Sequence, residues 1–390
     1  MEVSAVAILL LLLPGLLFGY AYVVYPLLLR LVAVVRRPAP IIVDPPEWPP
    51  ISIVFSAYNE ELSVGRTIES LLALDYPEER RQILVLSDAS TDGTDEIVRG
   101  FAGRGVELFR MPRRAGKTAA ENAALPLLRG EIIVNTDAAI RILPDSLKPI
   151  IRVFQDPSVG VASGRDLSVG DVNAEASSAE SGYVVYEMWV RALETRLGSI
   201  VGSSGCFYAI RRALHQIPAP PEVARDFASA LTAKEHGLRA VSVDDAICLV
   251  PRTTSLVREF RRKTRTMASG LATLWYKRAL LNPFRHGLFA WMLWSHKLVR
   301  WLVFLASPPA LAELTVLSAD LVAAQVALGL LLLGVVLGTV ALRSPEGTKL
   351  PPVIALCGFA LAAHIAGILA WARVIRGQLH TVWEPTRRPT

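Results

Sequence analysis

Cysteine is scarce: Cys206, Cys248 and Cys357 are the only three in 390 residues, too widely spaced for a disulfide framework or a zinc-ligand pattern. Each thiol is expected to fill a small apolar gap in a packed interior. The chain also lacks a G-x-G-x-x-G turn after its first strand-like run, Ile51 to Ser56, which excludes a dinucleotide-binding dehydrogenase. Gly116-Lys117-Thr118 has the ending of a Walker loop, but position 111, where the leading glycine belongs, is methionine, so there is no P-loop. Charge is missing altogether from Ser4 to Leu29, and a run of that length and polarity crosses a bilayer as a helix. A cleavable signal would begin with basic residues and have a shorter core; this run follows Glu2 and meets its first cation at Arg30.

What is present fits a membrane protein with a polar middle. Hydrophobic residues make up 52% of the chain and the mean hydropathy is +0.39, while the 19% charged residues concentrate between about Arg36 and Arg300. The net charge of +6 sits near the hydrophobic segments, which favours anionic headgroups over nucleic acid as the partner. Arg30, Arg36 and Arg37 follow the first run, so the domain after it is expected in the cytoplasm. Three more apolar segments follow, at Leu288 to Leu317, Leu321 to Leu342 and Val353 to Val374. His296, Lys297 and Arg300 near the start of the first are expected to snorkel along an interface. Three full crossings put the C-terminus outside, whereas Arg373, Arg376, Arg387 and Arg388 favour the inside, so one segment is re-entrant or interfacial or the charge rule fails here.

After a proline-dense connector at 38–50, short β-branched runs at Ile51 to Ser56, Ile83 to Leu86, Val106 to Arg110 and Glu131 to Asn135 alternate with helical stretches. That alternation predicts an α/β domain with a largely parallel sheet covered by helices. Ligands of such sheets bind beyond the carboxyl ends of strands, where this chain places Tyr58, Asn59 and Glu60, then Asp88 to Thr94, then Thr136 and Asp137. Thr91, Asp92 and Thr94 are expected to cap a helix, and Asp88 and Asp137 to contact ligand. Arg110, Arg113, Arg114 and Lys117 are placed to attract a diphosphate or to form a solvated basic face.

In order and spacing, AYNEE at Ala57 to Glu61, DASTDGT at Asp88 to Thr94, GKTAAEN at Gly116 to Asn122 and Asp137-Ala138-Ala139 resemble the motifs of the family 2 glycosyltransferases. The resemblance covers about Ile51 to Gly270 and implies a GT-A fold between transmembrane helices, working on a nucleotide sugar, expected to be UDP-linked. It implies that Ala57, Tyr58 and Glu60 hold base and ribose, that Asp88 contacts the uracil, that Lys117 lies near the nucleotide, and that Asp137 binds nucleotide sugar and a divalent Mg2+ or Mn2+. Ala139 stands where the family's D-x-D has its second aspartate, so metal dependence is expected in weakened form. Asp226 matches the family's catalytic base, with Arg225 where glutamate is more usual, and Gly202 to Arg212 (GSSGCFYAIRR) resembles the acceptor segment. Arg262-x-x-Arg265 fits an interfacial motif, though Thr266 replaces its tryptophan, and its arginines are expected to meet either the leaving diphosphate or lipid headgroups. Thr381 to Arg388 (TVWEPTRR) resembles a tail of some membrane-bound members.

The expected division is an anchor at 1–37, a linker at 38–50, a catalytic domain at 51–257, an interfacial region at 258–287, membrane helices at 288–375 and a tail at 376–390. An inverting transfer to a growing polysaccharide is expected, as in synthases of the hyaluronan or poly-N-acetylglucosamine kind. The alternatives are transfer of one sugar to a membrane lipid, as in ceramide-glucosyltransferase-like enzymes, and a nucleotide-sugar-binding protein with impaired catalysis. Chemically, an acceptor hydroxyl needs an aligned carboxylate to take its proton as it attacks C1.

Overall fold

The computed structural model describes residues 5–36, 42–169, 175–251, 256–345, 348–379 and 382. The start of the proline-dense connector and nearly all of the tail segment at 381–388 lie outside the described residues. An eight-stranded sheet organises the polar middle, in the order β3-β2-β1-β4-β7-β6-β8-β5. Its first half is parallel: β1 (Ile51–Ala57) lies between β2 (Arg81–Ser87) and β4 (Ile132–Asp137), with β3 (Val106–Arg110) at the edge. Its second half is mixed. β7 (Phe207–Arg211) runs antiparallel to both β4 and β6 (Val159–Val169), while β6 pairs in parallel with β8 (Arg239–Pro251), which also holds the short β5 (Arg141–Ile142).

Helices cover both faces, which is why β1 is buried along its whole length, Ser52 and Ser56 included. On one face Ile51, Ile53 and Phe55 meet Val64, Ile68 and Leu71 of α3 (Val64–Leu72), an i, i+4, i+7 stripe. On the other, Val54, Leu84 and Ile133 meet Ala120 and Ala124 of α5 (Lys117–Ala124) and Ala230 and Ala233 of α9 (Arg225–Glu235). Each fully buried large aliphatic side chain contributes about 1.5–3 kcal/mol. Alanines on α5 and α9 let both helices come close to the sheet, so their N-termini, with Lys117 and Asp226, sit at the strand ends.

Among the described residues, four helices or helix pairs are long and apolar enough to cross a membrane: Ala5–Val34, Pro283–Leu317, Val322–Arg343 and Pro352–Ile375. The first two meet at π-helical turns, Tyr20–Val24 and Trp294–Leu298, where the Tyr20 hydroxyl bonds Ser295 at 2.8 Å and accepts from Trp291 at 3.0 Å. Here the structure departs from the snorkelling expected of His296, Lys297 and Arg300. His296 is 1% and Arg300 5% exposed, and they pair with Glu187 and Glu194 of the long helix Glu175–Leu197 at 2.6–2.8 Å. Carboxylates were available inside, and pairing there satisfies charges that hydrocarbon would penalise. The last apolar helix, Pro352–Ile375, packs beside the amphipathic helix Leu256–Tyr276 from Gly358 against Leu256 to Ala370 against Leu271.

Candidate active site

The loops after β1 and β2 fold against each other. Asn59 and Ala89 both adopt positive φ, +53° and +58°, uncommon for residues with a Cβ. Thr91 N donates to Asn59 Oδ1 at 2.8 Å, Glu60 N donates to Thr94 Oγ1 at 2.8 Å, and Asp92 accepts from Thr94 N at 3.0 Å and Glu61 N at 3.2 Å. Asp92 and Thr94 thus hold this turn together, whereas the helix Thr94–Gly100 has Gly93 at its N-cap and no side-chain cap, so the capping expected of Thr91, Asp92 and Thr94 is replaced by bonds between the two loops.

Asp88 is fully buried, and its two carboxylate oxygens accept from Ala115 N and Gly116 N, each at 2.8 Å. Gly116 sits at φ +95°, so the chain turns here at a residue without a Cβ and delivers Lys117 to the start of α5. Ala57 is also fully buried, and its carbonyl accepts from Asp88 N at 2.9 Å. Ala57 and Asp88 therefore form the floor of the candidate site, whereas Tyr58 and Glu60 lie at its rim, half-buried. The Arg114 guanidinium stacks 3.7 Å from the Tyr58 ring centroid, and Ser63 Oγ donates to Glu60 at 2.5 Å.

Across this floor, Lys117 Nζ donates to Asp137 Oδ1 at 2.5 Å. Burial pulls the Lys117 ammonium down, but Asp137 and the buried Glu121 outweigh it, so the net shift is upward and Lys117 stays charged. Burial raises the Asp226 carboxyl, the Lys117 charge opposes that, and Asp137 adds to the rise. Contacts place the three together: Lys117 touches Asp137, the neighbouring Thr136 Oγ1 donates to the Cys206 carbonyl at 2.7 Å, and Asp226 lies against Gly205. Arg265, on the helix Leu256–Tyr276, has its pKa lowered by burial and by Arg262, with Asp137 opposing. Arg262 is held on its own helix by Glu259 at 2.7 and 2.8 Å.

Asp226 opens α9, and its Oδ2 lies only 2.6 Å from where a Cβ on Gly205 would stand. The Gly202–Cys206 segment is fixed from below: Ser204 Oγ donates to Asp166 at 2.6 and 2.8 Å, and Ser204 N donates to Ser163 Oγ at 2.8 Å. Sequence reading missed Asp166 and did not single out Ser204 within GSSGCFYAIRR, because the contact that joins them spans 38 residues. It also missed Glu121, 2% exposed, which lies 4.0 Å from Lys117 and 3.9 Å from Arg225. Arg225 itself donates to Asn122 Oδ1 at 2.5 Å and to the His215 carbonyl, tying α9 to α5. The arginine that replaces the expected glutamate thus has a buried carboxylate partner of its own.

A divalent cation needs oxygen ligands. No group of three or more His, Cys, Asp or Glu side chains suited to a metal occurs among the described residues, and position 139 is alanine. Asp137 keeps Oδ2 clear of Lys117 and its side chain is 40% exposed, which suits an ion held chiefly by substrate phosphates through a single carboxylate.

Residues 52–217 match the model of glycosyl transferase family 2. The chain carries a family 2 glycosyltransferase domain. It is 29% identical over 168 residues to the beta-monoglucosyldiacylglycerol synthase of a Nostoc species, covering 42% of this chain and 36% of that protein. It is 32% identical over 125 residues to the cellulose synthase catalytic subunit of Pseudomonas fluorescens, covering 32% and 16%. The match thus spans about a third or less of these curated relatives. In fold, 96% of the chain superposes on 99% of a mannosyltransferase from Pyrobaculum calidifontis, solved with GDP-Man and Mn2+, at a TM-score of 0.71 and 23% identity. The glycosyltransferase domain therefore has the GT-A fold, with candidate membrane helices on both sides.

The charge coupling inside the glycosyltransferase cleft has a measurable consequence. A base must be ionised to act, so if Asp226 is the base, turnover rises with pH through its pKa. Lys117 lowers that pKa. Lys117→Gln is expected to move the acidic limb of the kcat/KM profile to higher pH, apart from any loss of donor affinity; an unmoved limb would show that the two groups are not coupled.

Proposed function

We propose that the domain catalyses an inverting transfer from a nucleoside-diphosphate sugar to a hydroxyl of a membrane lipid, at the cytoplasmic face. The observation that carries this reading is the convergence of Asp226, Lys117 and Asp137 at the ends of β4, α5 and α9. Tyr58 and Glu60 line the nucleotide, with Asp88 and Ala57 shaping the floor beneath it. Lys117, Arg265 and Arg262 face the diphosphate. Asp226 takes the acceptor proton while the acceptor oxygen forms its bond to C1, and the bond from C1 to the diphosphate oxygen breaks with its electron pair leaving on the nucleotide. Alignment and charge stabilisation of the leaving group supply most of the acceleration. A divalent ion, held by Asp137 and the donor phosphates, supplies further charge neutralisation when bound.

Uridine is the base we favour, in keeping with the Pseudomonas relative, whose name describes it as UDP-forming. A lipid acceptor is supported by the Nostoc relative, by Thr266 where an aromatic sugar platform would stand, and by the seat of the base. Phe227, next to Asp226, packs edge-on against Trp301 of a candidate membrane helix at 6.2 Å. Arg30, Arg36 and Arg37 after the first apolar run support the cytoplasmic placement.

The test incubates the purified protein with UDP- and GDP-linked sugars and extracted membrane lipids, with and without Mg2+ or Mn2+, and analyses product by mass spectrometry. The proposal expects one sugar on a lipid. A ladder of long chains would establish the polysaccharide alternative instead, and donor binding without transfer would establish an impaired enzyme.

A further inference from the structure

A second basic site lies away from the donor cleft. A cavity of about 360 Å³ opens at the far end of α9, lined by Arg36, Lys234, Arg239 and His286 together with the apolar Phe289 and Met292. Its lining holds no carboxylate among the described residues. Arg239 already pairs with Asp156 at 2.6 Å, whereas Lys234 lies over the Phe289 ring at 5.4 Å and, like Arg36, has no carboxylate partner among the described residues. Clustered cations repel one another, and the arrangement is relieved when an anion joins them.

The position of the cavity defines the anion. Arg36 follows the first candidate span, Ala5–Val34, by two residues, and His286, Phe289 and Met292 belong to the opening turns of the second, Pro283–Leu317. The cations therefore sit where the polar ends of two candidate membrane helices meet the catalytic domain, the depth expected of headgroups, with the buried Phe289 and Met292 forming the apolar part of the wall. We propose that this cavity binds the phosphate of an anionic membrane lipid, whose acyl chains remain among the membrane helices. Lys234 follows Asp226 by eight residues on α9, about 12 Å at 1.5 Å per residue, so this lipid is held apart from the reacting centre and is not the acceptor. It anchors the far end of the helix that carries Asp226. The site goes beyond the proposed transfer and does not depend on which donor or acceptor that transfer uses.

The experiment uses the full-length protein in neutral detergent and native mass spectrometry with three probes: dioleoyl phosphatidic acid, dioleoylglycerol, which has the same chains without the phosphate, and inorganic phosphate. Phosphatidic acid should be retained about tenfold or more over dioleoylglycerol. The double variant Arg36→Gln/Lys234→Gln should lose that preference, and Arg66→Gln, on an exposed face elsewhere, should keep it. Unchanged far-UV circular dichroism shows that the double variant is folded, and Lys234→Gln alone, with a smaller loss, serves if it is not. Equal retention of the two lipids, or a preference that survives both variants, would overturn the proposal. Displacement of the lipid by millimolar inorganic phosphate would also overturn it, by showing a free-anion site.

Discussion

Asp226→Asn should lower kcat by about 10²- to 10⁴-fold, the range spanned by a positioned general base. The amide keeps the size and hydrogen-bonding reach of the carboxylate, so folding and donor affinity should be preserved while the proton acceptor is lost. The local structure is robust to the change: α9 is held by Ala224 N donating to Thr273 Oγ1 at 2.9 Å and by Arg225 tied to α5. Single-turnover measurements with saturating donor separate the chemical step from binding. Normal turnover by a folded Asp226→Asn protein would remove Asp226 from the mechanism.

Gly205→Ala tests geometry in place of charge. A methyl group there would stand 2.6 Å from Asp226 Oδ2, closer than a Cβ approaches a non-bonded oxygen, so the carboxylate must move. A displacement near 1 Å of a reacting group costs about 10²-fold. The expected result is a fall in kcat of that order with donor affinity nearly unchanged, because Lys117 and Asp137 are not in the path of the methyl group. Gly202 is a useful contrast: its Cβ would meet the Phe227 ring at 3.0 Å and Lys297 Cε at 3.3 Å, so Gly202→Ala presses on an aromatic ring and a flexible side chain. A smaller effect on kcat is expected there.

The parallel half of the sheet was legible because β1, β2 and β4 are buried on both faces and so appear as short β-branched runs between helices. The mixed half was not. β6 contains Gly160, Gly164, Arg165 and Asp166, and β8 contains Asp244 and Asp245; these residues are poor strand formers, placed by pairing with neighbours distant in sequence. At the candidate site, Asp137 is legible from its place at the end of β4, and Lys117 and Asp226 from their match to the family's motifs. Asp166 carries no such pattern, and Glu121 and Ser204, though inside GKTAAEN and GSSGCFYAIRR, stand out only through their partners. The buried pairs of His296 and Arg300 with Glu187 and Glu194 had a visible half, cations in an apolar run, and a hidden half, two glutamates about a hundred residues earlier. Asp88 shows a different limit. Its type and position after β2 were noticed, but only coordinates reveal that both oxygens are engaged by the loop that presents Lys117.

The most direct test is a structure of the protein with an intact nucleotide sugar, using Asp226→Asn to prevent turnover. The account predicts the diphosphate beside Lys117 and Asp137, the nucleotide along Tyr58 and Glu60, and the anomeric carbon turned toward residue 226 across the Gly202–Cys206 segment. A donor seated outside this cleft, or an anomeric carbon facing away from residue 226, would contradict it.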